Sequence, residues 1–207
     1  MIFIYQADSS PLKLGNKVEK LLQELPKCLH ERALRYKFEE DALNFILGRL
    51  LLKKGLEKLG LGDQLEQVAY HKNGKPYLPT VAFNISHTKN KVVCALSTDG
   101  RVGIDIEKEK VIGLEDFKTW WYSEKEWGDI TAAEHTSQKF YWYWTRKESI
   151  IKALGVTLAY LHEIELDPTK DFFIENEKQW HLRDLDFGEG YYGAICSEVD
   201  IGEVKWV

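Results

Sequence analysis

The sequence predicts an α+β protein whose two halves repeat one order, helices followed by strands. Three observations carry this reading. Apolar residues keep a helical spacing from Val18 to Leu59, then switch after Gly62 to short strand-like runs. Helical spacing resumes between Ser123 and Leu154. From Glu163 the chain breaks again into short runs separated by turns such as Asp167-Pro168 and Gly188-Glu189-Gly190. The halves share no convincing sequence repeat and no low-complexity linker divides them, so any duplication is one of architecture.

Met1-Ile2-Phe3-Ile4-Tyr5 reads as a first strand, being too short for a signal segment. Asn16 is placed to cap a helix that carries Val18, Leu21, Leu22 and Leu25 and stops at Pro26. A second helical stretch is expected from Cys28 to Phe38, with Arg32, Arg35 and Lys37. A longer helix follows from Glu39 to Leu59, with Gly48 as a close-packing point and Gly60 as its stop. Val68 to His71 and Val81 to Ile85 read as strands, with Asn73-Gly74 as a turn. Val92 to Ser97 and Val102 to Glu107 are expected to form a hairpin around Asp99-Gly100. Ser123 with Glu126 forms a capping box beneath Trp120-Trp121-Tyr122, and Ser137 to Leu154 is a long helix that ends at Gly155.

Composition bounds the function. At 207 residues, 44% hydrophobic and 29% charged, the chain is an ordinary globular one with room for a substantial core. A net charge of −5 argues against non-specific nucleic-acid binding, yet a local basic patch could still take a phosphorylated small molecule. Cys28, Cys94 and Cys196 are odd in number, far apart and set in or beside apolar runs, which reads as reduced core cysteines of a cytosolic protein. No Cys–His spacing suits structural zinc, and no apolar stretch is long enough to span a bilayer.

The chemistry concentrates in a few places. In Val102-Gly103-Ile104-Asp105-Ile106-Glu107 the two acids share one strand face, opposite Ile104 and Ile106. Taken alone, such a pair is ordinarily a solvated edge. Glu148 lies on an apolar helical stripe with Trp144, Ile151 and Gly155, where its ordinary partner would be Lys152 four residues on. Together, Asp105, Glu107 and Glu148 could hold Mg²⁺, a hard ion that takes few protein oxygens and leaves room for substrate phosphates. Lys147 and Lys152 flank Glu148, and Gly74-Lys75-Pro76 adds a cation at a turn where glycine opens the backbone to a phosphate. Ser86-His87-Thr88 closes a strand with donors fit for phosphate oxygens. The Walker A, dinucleotide-binding, zinc-protease and serine-hydrolase templates find no match.

In this order and with these gaps, Gly74-Lys75-Pro76, Phe83-Asn84-Ile85-Ser86-His87, Val102 to Glu107 and Trp144-Thr145-Arg146-Lys147-Glu148-Ser149-Ile150-Ile151-Lys152 resemble the 4′-phosphopantetheinyl transferase superfamily. The longer, Sfp-type members fit best, and the match runs from about Arg32 to Gly155. The resemblance implies two similar α/β subdomains related by a pseudo-twofold, 1–101 and 102–207, in one monomeric, cytoplasmic chain. It implies transfer of the phosphopantetheine arm of coenzyme A to a serine of an acyl or peptidyl carrier protein, with release of 3′,5′-ADP. By position, Asp105, Glu107 and Glu148 would hold Mg²⁺, Glu107 directly or through a water, with Glu148 or a metal-bound water as the base and Lys152 offsetting charge on the departing phosphate. Lys75, Ser86, His87, Lys147 and Arg32 would contact the phosphates of coenzyme A, with Gly74 and Pro76 shaping the turn. Trp120, Trp121 and Tyr122 are candidates for carrier docking and equally for core. Two departures stand out. Many members carry an arginine near the place of Asn44 and a small hydroxyl residue near Phe45; here Arg49 is the nearby alternative donor. Two other functions fit the same residues: another Mg²⁺-dependent phosphoester hydrolase, or a non-catalytic module that binds coenzyme A or a carrier.

Overall fold

The computed structural model describes residues 1–10, 17–111, 113 and 121–206. The capping role of Asn16 and the placement of Trp120 lie outside these residues. The chain divides into two compact units, Met1–Asp99 with Glu203–Val207, and Gly100–Gly202.

In the first unit β1 (Ile2–Asp8) leads to α1 (Lys17–Gln23), α2 (Lys27–Leu34) and the long α3 (Glu39–Lys58). The short hairpin β2 (Ala69–Tyr70) and β3 (Pro76–Tyr77) precedes β4 (Ala82–Thr88) and β5 (Lys91–Ser97). With the C-terminal strand β10 (Val204–Trp206), these make a sheet of order β10-β1-β5-β4. Its core joins Phe3, Tyr5, Val92, Cys94 and Leu96 of the sheet to Leu43, Ile46, Leu47, Leu52 and Leu56 of α3. Gly48 lets α3 approach β4, since a Cβ there would stand 2.9 Å from Ile85 Cγ2.

Helix α2 stops short of the expected Phe38. Leu34, Tyr36 and Phe38 are exposed and offer no apolar face to bury, so nothing rewards extending the helix. Phe38 is extended instead (φ −107°, ψ 135°) and starts α3, whose first turn carries Glu39, Glu40 and Asp41 at the positive end of the helix dipole.

The expected hairpin of β5 with the next strand does not form. Both edges of β5 are occupied, by β1 and by β4, and its hairpin partner is β4 through a turn with Asn90 at φ 66°. The following strand, β6 (Val102–Lys108), has no free edge of β5 to join and belongs to the second unit's sheet. A second correction concerns Cys28. It is exposed, whereas Cys94 and Cys196 are buried and burial pushes both their thiols well up.

The second unit continues with α4 (Glu124–Ala132), α5 (Thr136–Leu154), β7 (Phe172–Glu175), β8 (Lys178–Asp184) and β9 (Tyr191–Ser197), in sheet order β6-β9-β8-β7. The capping box is formed: Ser123 Oγ accepts from Glu126 N–H, and Glu126 Oε2 accepts from Ser123 N–H. Helix α5 packs on β6 and β9 and ends at Gly155 in the left-handed conformation (φ 78°). Tyr122 is buried against Trp127, Phe140 and Tyr143, so this member of the aromatic cluster is core.

Candidate functional site

Gly103 sets the geometry of the acidic cluster. A Cβ at Gly103 would stand 2.1 Å from Ser149 O and 2.4 Å from Ala153 N, so β6 and α5 touch backbone to backbone. Gly103, Asp105 and Glu107 share the strand face that α5 covers. Asp105 is therefore 2% exposed, and the reading of this face as a solvated edge gives way. Lys152 Nζ donates to Asp105 Oδ1 at 2.5 Å and lies 3.9 Å from Glu148 Oε2. The helical pair of Glu148 with Lys152 is thus present, but it is the longer of the two contacts.

The electrostatics follow from burial. Desolvation pushes Glu148 up to about 7, with Asp105 and Glu107 adding to the rise and Lys152 opposing it. Burial also works against the charge on Lys152, yet Asp105 and Glu148 outweigh it and raise its pKa. Among the described residues, no group of three or more His, Cys, Asp or Glu side chains is arranged to hold a metal ion as it stands. The acids gather round an ammonium instead. Their chemistry still fits a hard cation, because the donors are all carboxylate oxygens and Glu148 resists ionising where it is buried beside two further acids. Asp105, Glu107 and Glu148 are the residues that could take Mg²⁺.

Lys147 departs from expectation. It is 1% exposed, and its Nζ donates to Glu126 Oε2 and to Trp121 O, each at 2.7 Å. Glu126, fully buried, also accepts from Leu166 N–H through Oε1. Burial lowers the Lys147 pKa while Glu126 opposes the drop. The reason is helical. Neighbours on a helix sit about 100° apart, so when Glu148 faces the Asp105 cluster Lys147 is turned toward α4. The expected phosphate contact is replaced by a core ion pair that ties α4, α5 and the segment at Leu166 together. Glu126 reads in the sequence as a capping residue, and nothing there marks it as the partner of Lys147.

The first unit holds the expected anion-binding residues. At the β2–β3 turn Gly74 has φ 83° and Lys75 N–H donates to Asn73 Oδ1 at 3.2 Å. A Cβ at Gly74 would meet nothing within 4 Å, so the backbone there is open. His87 is exposed, with Nδ1 at 3.4 Å from Asn44 Nδ2, and it lines a cavity with Pro76. Ser86, adjacent in β4, faces the opposite side and is 5% exposed. Arg32 places its guanidinium 3.8 Å from the centre of the Tyr70 ring. Arg49, 4% exposed, donates through Nη2 to Tyr70 Oη at 3.0 Å. Tyr70 was not singled out by sequence reasoning, because a tyrosine in a two-residue strand carries no motif.

The model of the 4′-phosphopantetheinyl transferase superfamily matches residues 101–196, and that of the 4′-phosphopantetheinyl transferase N-terminal region matches residues 14–99. Gsp, a 4′-phosphopantetheinyl transferase of Aneurinibacillus migulanus, is 33% identical over 200 residues, covering 90% of this chain and 84% of that protein. HetI of Nostoc sp. is 31% identical over 194 residues, covering 86% and 82%. Sfp of Bacillus subtilis is 30% identical over 191 residues, covering 86% and 84%. The chain belongs to the 4′-phosphopantetheinyl transferase superfamily. It is accordingly a transferase, and the carboxylate–lysine cluster and the β2–β3 turn lie within the matched segments of this transferase. Among the described residues, no helix is long and apolar enough to cross a membrane.

Proposed function

We propose that this transferase moves the phosphopantetheine arm of coenzyme A onto a serine hydroxyl of an acyl or peptidyl carrier protein and releases 3′,5′-ADP, with Mg²⁺ bound. The observation that carries the reading is the buried cluster in which Lys152 donates to Asp105 and lies 3.9 Å from Glu148, on a rigid strand–helix pair. The serine Oγ attacks the phosphorus on the pantetheine side of the pyrophosphate as the bond to the bridging oxygen breaks. The serine proton passes to Glu148, and 3′,5′-ADP leaves with the electron pair on its phosphate oxygen. Lys152, 26% exposed, offsets the charge that develops there. Mg²⁺, held by Asp105, Glu107 and Glu148, would neutralise the pyrophosphate. Arg32, Lys75 and His87 contact the phosphates of coenzyme A, with Gly74 and Pro76 shaping the turn. Lys147, paired with Glu126, and Ser86, on the other face of β4, do not enter this reading.

The test is incubation with coenzyme A, Mg²⁺ and a panel of apo carrier proteins, followed by mass spectrometry of the carriers. A phosphopantetheine mass addition that disappears with chelator is expected. No addition on any carrier would sink the assignment. Release of product from coenzyme A without a carrier would point to a hydrolase, and binding without turnover to a non-catalytic module. The same reading makes the enzyme a cytosolic monomer, and gel filtration checks its oligomeric state.

A further inference from the structure

The second unit contains a cavity of about 440 Å³, the size of a small-molecule pocket, where the end of α5 meets the β7–β8 hairpin. Leu154 and Val156 line it from the helix end and Tyr160 from the 3₁₀ turn Leu158–Glu163. Lys178 and Trp180 line it from β8, where they alternate onto the same face as the core residue Leu182, and Arg101 completes this side. The cavity lies apart from the carboxylate cluster. Arg101 precedes Asp105 by about 13 Å of extended chain, and Leu154 follows Glu148 by about 9 Å of helix.

Trp180 is 1% exposed, and its Nε1 is buried with no hydrogen-bond partner among the described residues. An indole N–H can only donate, and a buried donor left unmade is costly, so at a cavity wall it marks an acceptor that a ligand must supply. The charge of that ligand follows from the ring's neighbours. The Arg101 guanidinium stands 4.5 Å from the centre of the Trp180 ring and the Lys178 ammonium 5.7 Å. Glu198 accepts from Nε and Nη2 of Arg101 and from Lys178 Nζ. Two cations thus share one carboxylate, and one positive charge is left over on this side. The Glu175 carboxylate in the same lining is held by donors of its own, Tyr160 Oη and Asn176 Nδ2.

An occupant that completes the site accepts from Trp180 Nε1, brings a negative charge to Arg101 and Lys178, and lays an apolar body against Leu154, Val156 and the Tyr160 ring. A carboxylate on a compact apolar body does all three. Inorganic phosphate has no apolar body, and its second charge would face Glu175. We propose that this cavity is a second small-molecule site that binds a monocarboxylate of this kind, with Trp180 Nε1 donating to the carboxylate and Arg101 and Lys178 balancing its charge. The site is independent of the coenzyme A reading above.

The test follows the indole N–H signals of the full-length protein by proton–nitrogen NMR as phenylacetate is added. The Trp180 signal is identified by its loss in Trp180→Phe or, should that variant not fold, by its displacement in Arg101→Gln. Phenylacetate is expected to move this signal downfield and saturably. Phenylacetamide, which keeps the shape and an acceptor but not the charge, binds about tenfold weaker or more, and inorganic phosphate leaves the signal in place. Arg101→Gln keeps the apolar walls, so it weakens phenylacetate by about tenfold and leaves phenylacetamide unchanged. No movement of the Trp180 signal with phenylacetate overturns the proposal. Equal affinities for acid and amide, a shift produced by phosphate, or equal phenylacetate affinity in wild type and Arg101→Gln overturn it too.

Discussion

Glu148→Gln removes one of the three carboxylates gathered round Lys152, and the effect can be worked from the site. Burial, with Asp105 and Glu107 adding to it, raises the Glu148 pKa from 4.5 to about 7. A raised carboxyl prefers its neutral form in the fold. Its contribution to stability is therefore fully present below about pH 4.5 and is lost as pH rises to about 7. At 1.36 kcal/mol for each tenfold step in acidity, ionising Glu148 in the folded protein costs about 3 kcal/mol. Glutamine has no proton to lose. The pair with Lys152 at 3.9 Å is already contained in that figure, since Lys152 opposes the rise. Urea denaturation in chelator should thus find wild type and variant nearly matched at pH 4, and the variant more stable by about 3 kcal/mol at pH 8.5. The same variant should show no carrier modification. A variant equal to or less stable than wild type at pH 8.5 would refute the argument that burial among like charges tunes this base.

Two further substitutions test the frame that holds the cluster. Lys147→Met leaves the fully buried Glu126 carboxylate without its cation and should cost about 3–5 kcal/mol in denaturation, whereas the double variant Lys147→Met/Glu126→Gln recovers a large part of it; equal losses in single and double variants would contradict the pairing. Gly103→Ala drives a Cβ into the backbone of α5, so soluble yield and thermal stability should collapse, while Gly128→Ala within α4, whose Cβ meets nothing within 4 Å, should be neutral or stabilising by up to about 1 kcal/mol; a well-folded Gly103→Ala protein would remove the close-approach argument.

The sequence by itself determined the long helices, whose apolar period persists from Leu43 to Leu56 and from Phe140 to Ala153, and the chemical kinds of residue at the site. It also determined the family, because four short motifs in a fixed order and spacing are independent of how the chain packs. Periodicity reports only which face of an element is apolar. Tertiary structure decided which element covers that face, and this changed several assignments. Val102 to Glu107 looked like the second arm of a hairpin because Asp99-Gly100 is a local turn signal, yet β1 and β4 had already filled both edges of β5. Lys147 and Lys152 looked alike as cations beside Glu148, yet the helix sends one into a buried pair with Glu126 and the other to Asp105. Arg49 reads in sequence as an alternative donor near Asn44, and only the fold sets Tyr70 against one of its nitrogens and a cavity beside it. Pairing and burial of charges depend on contacts tens of residues apart, and no local pattern carries that information.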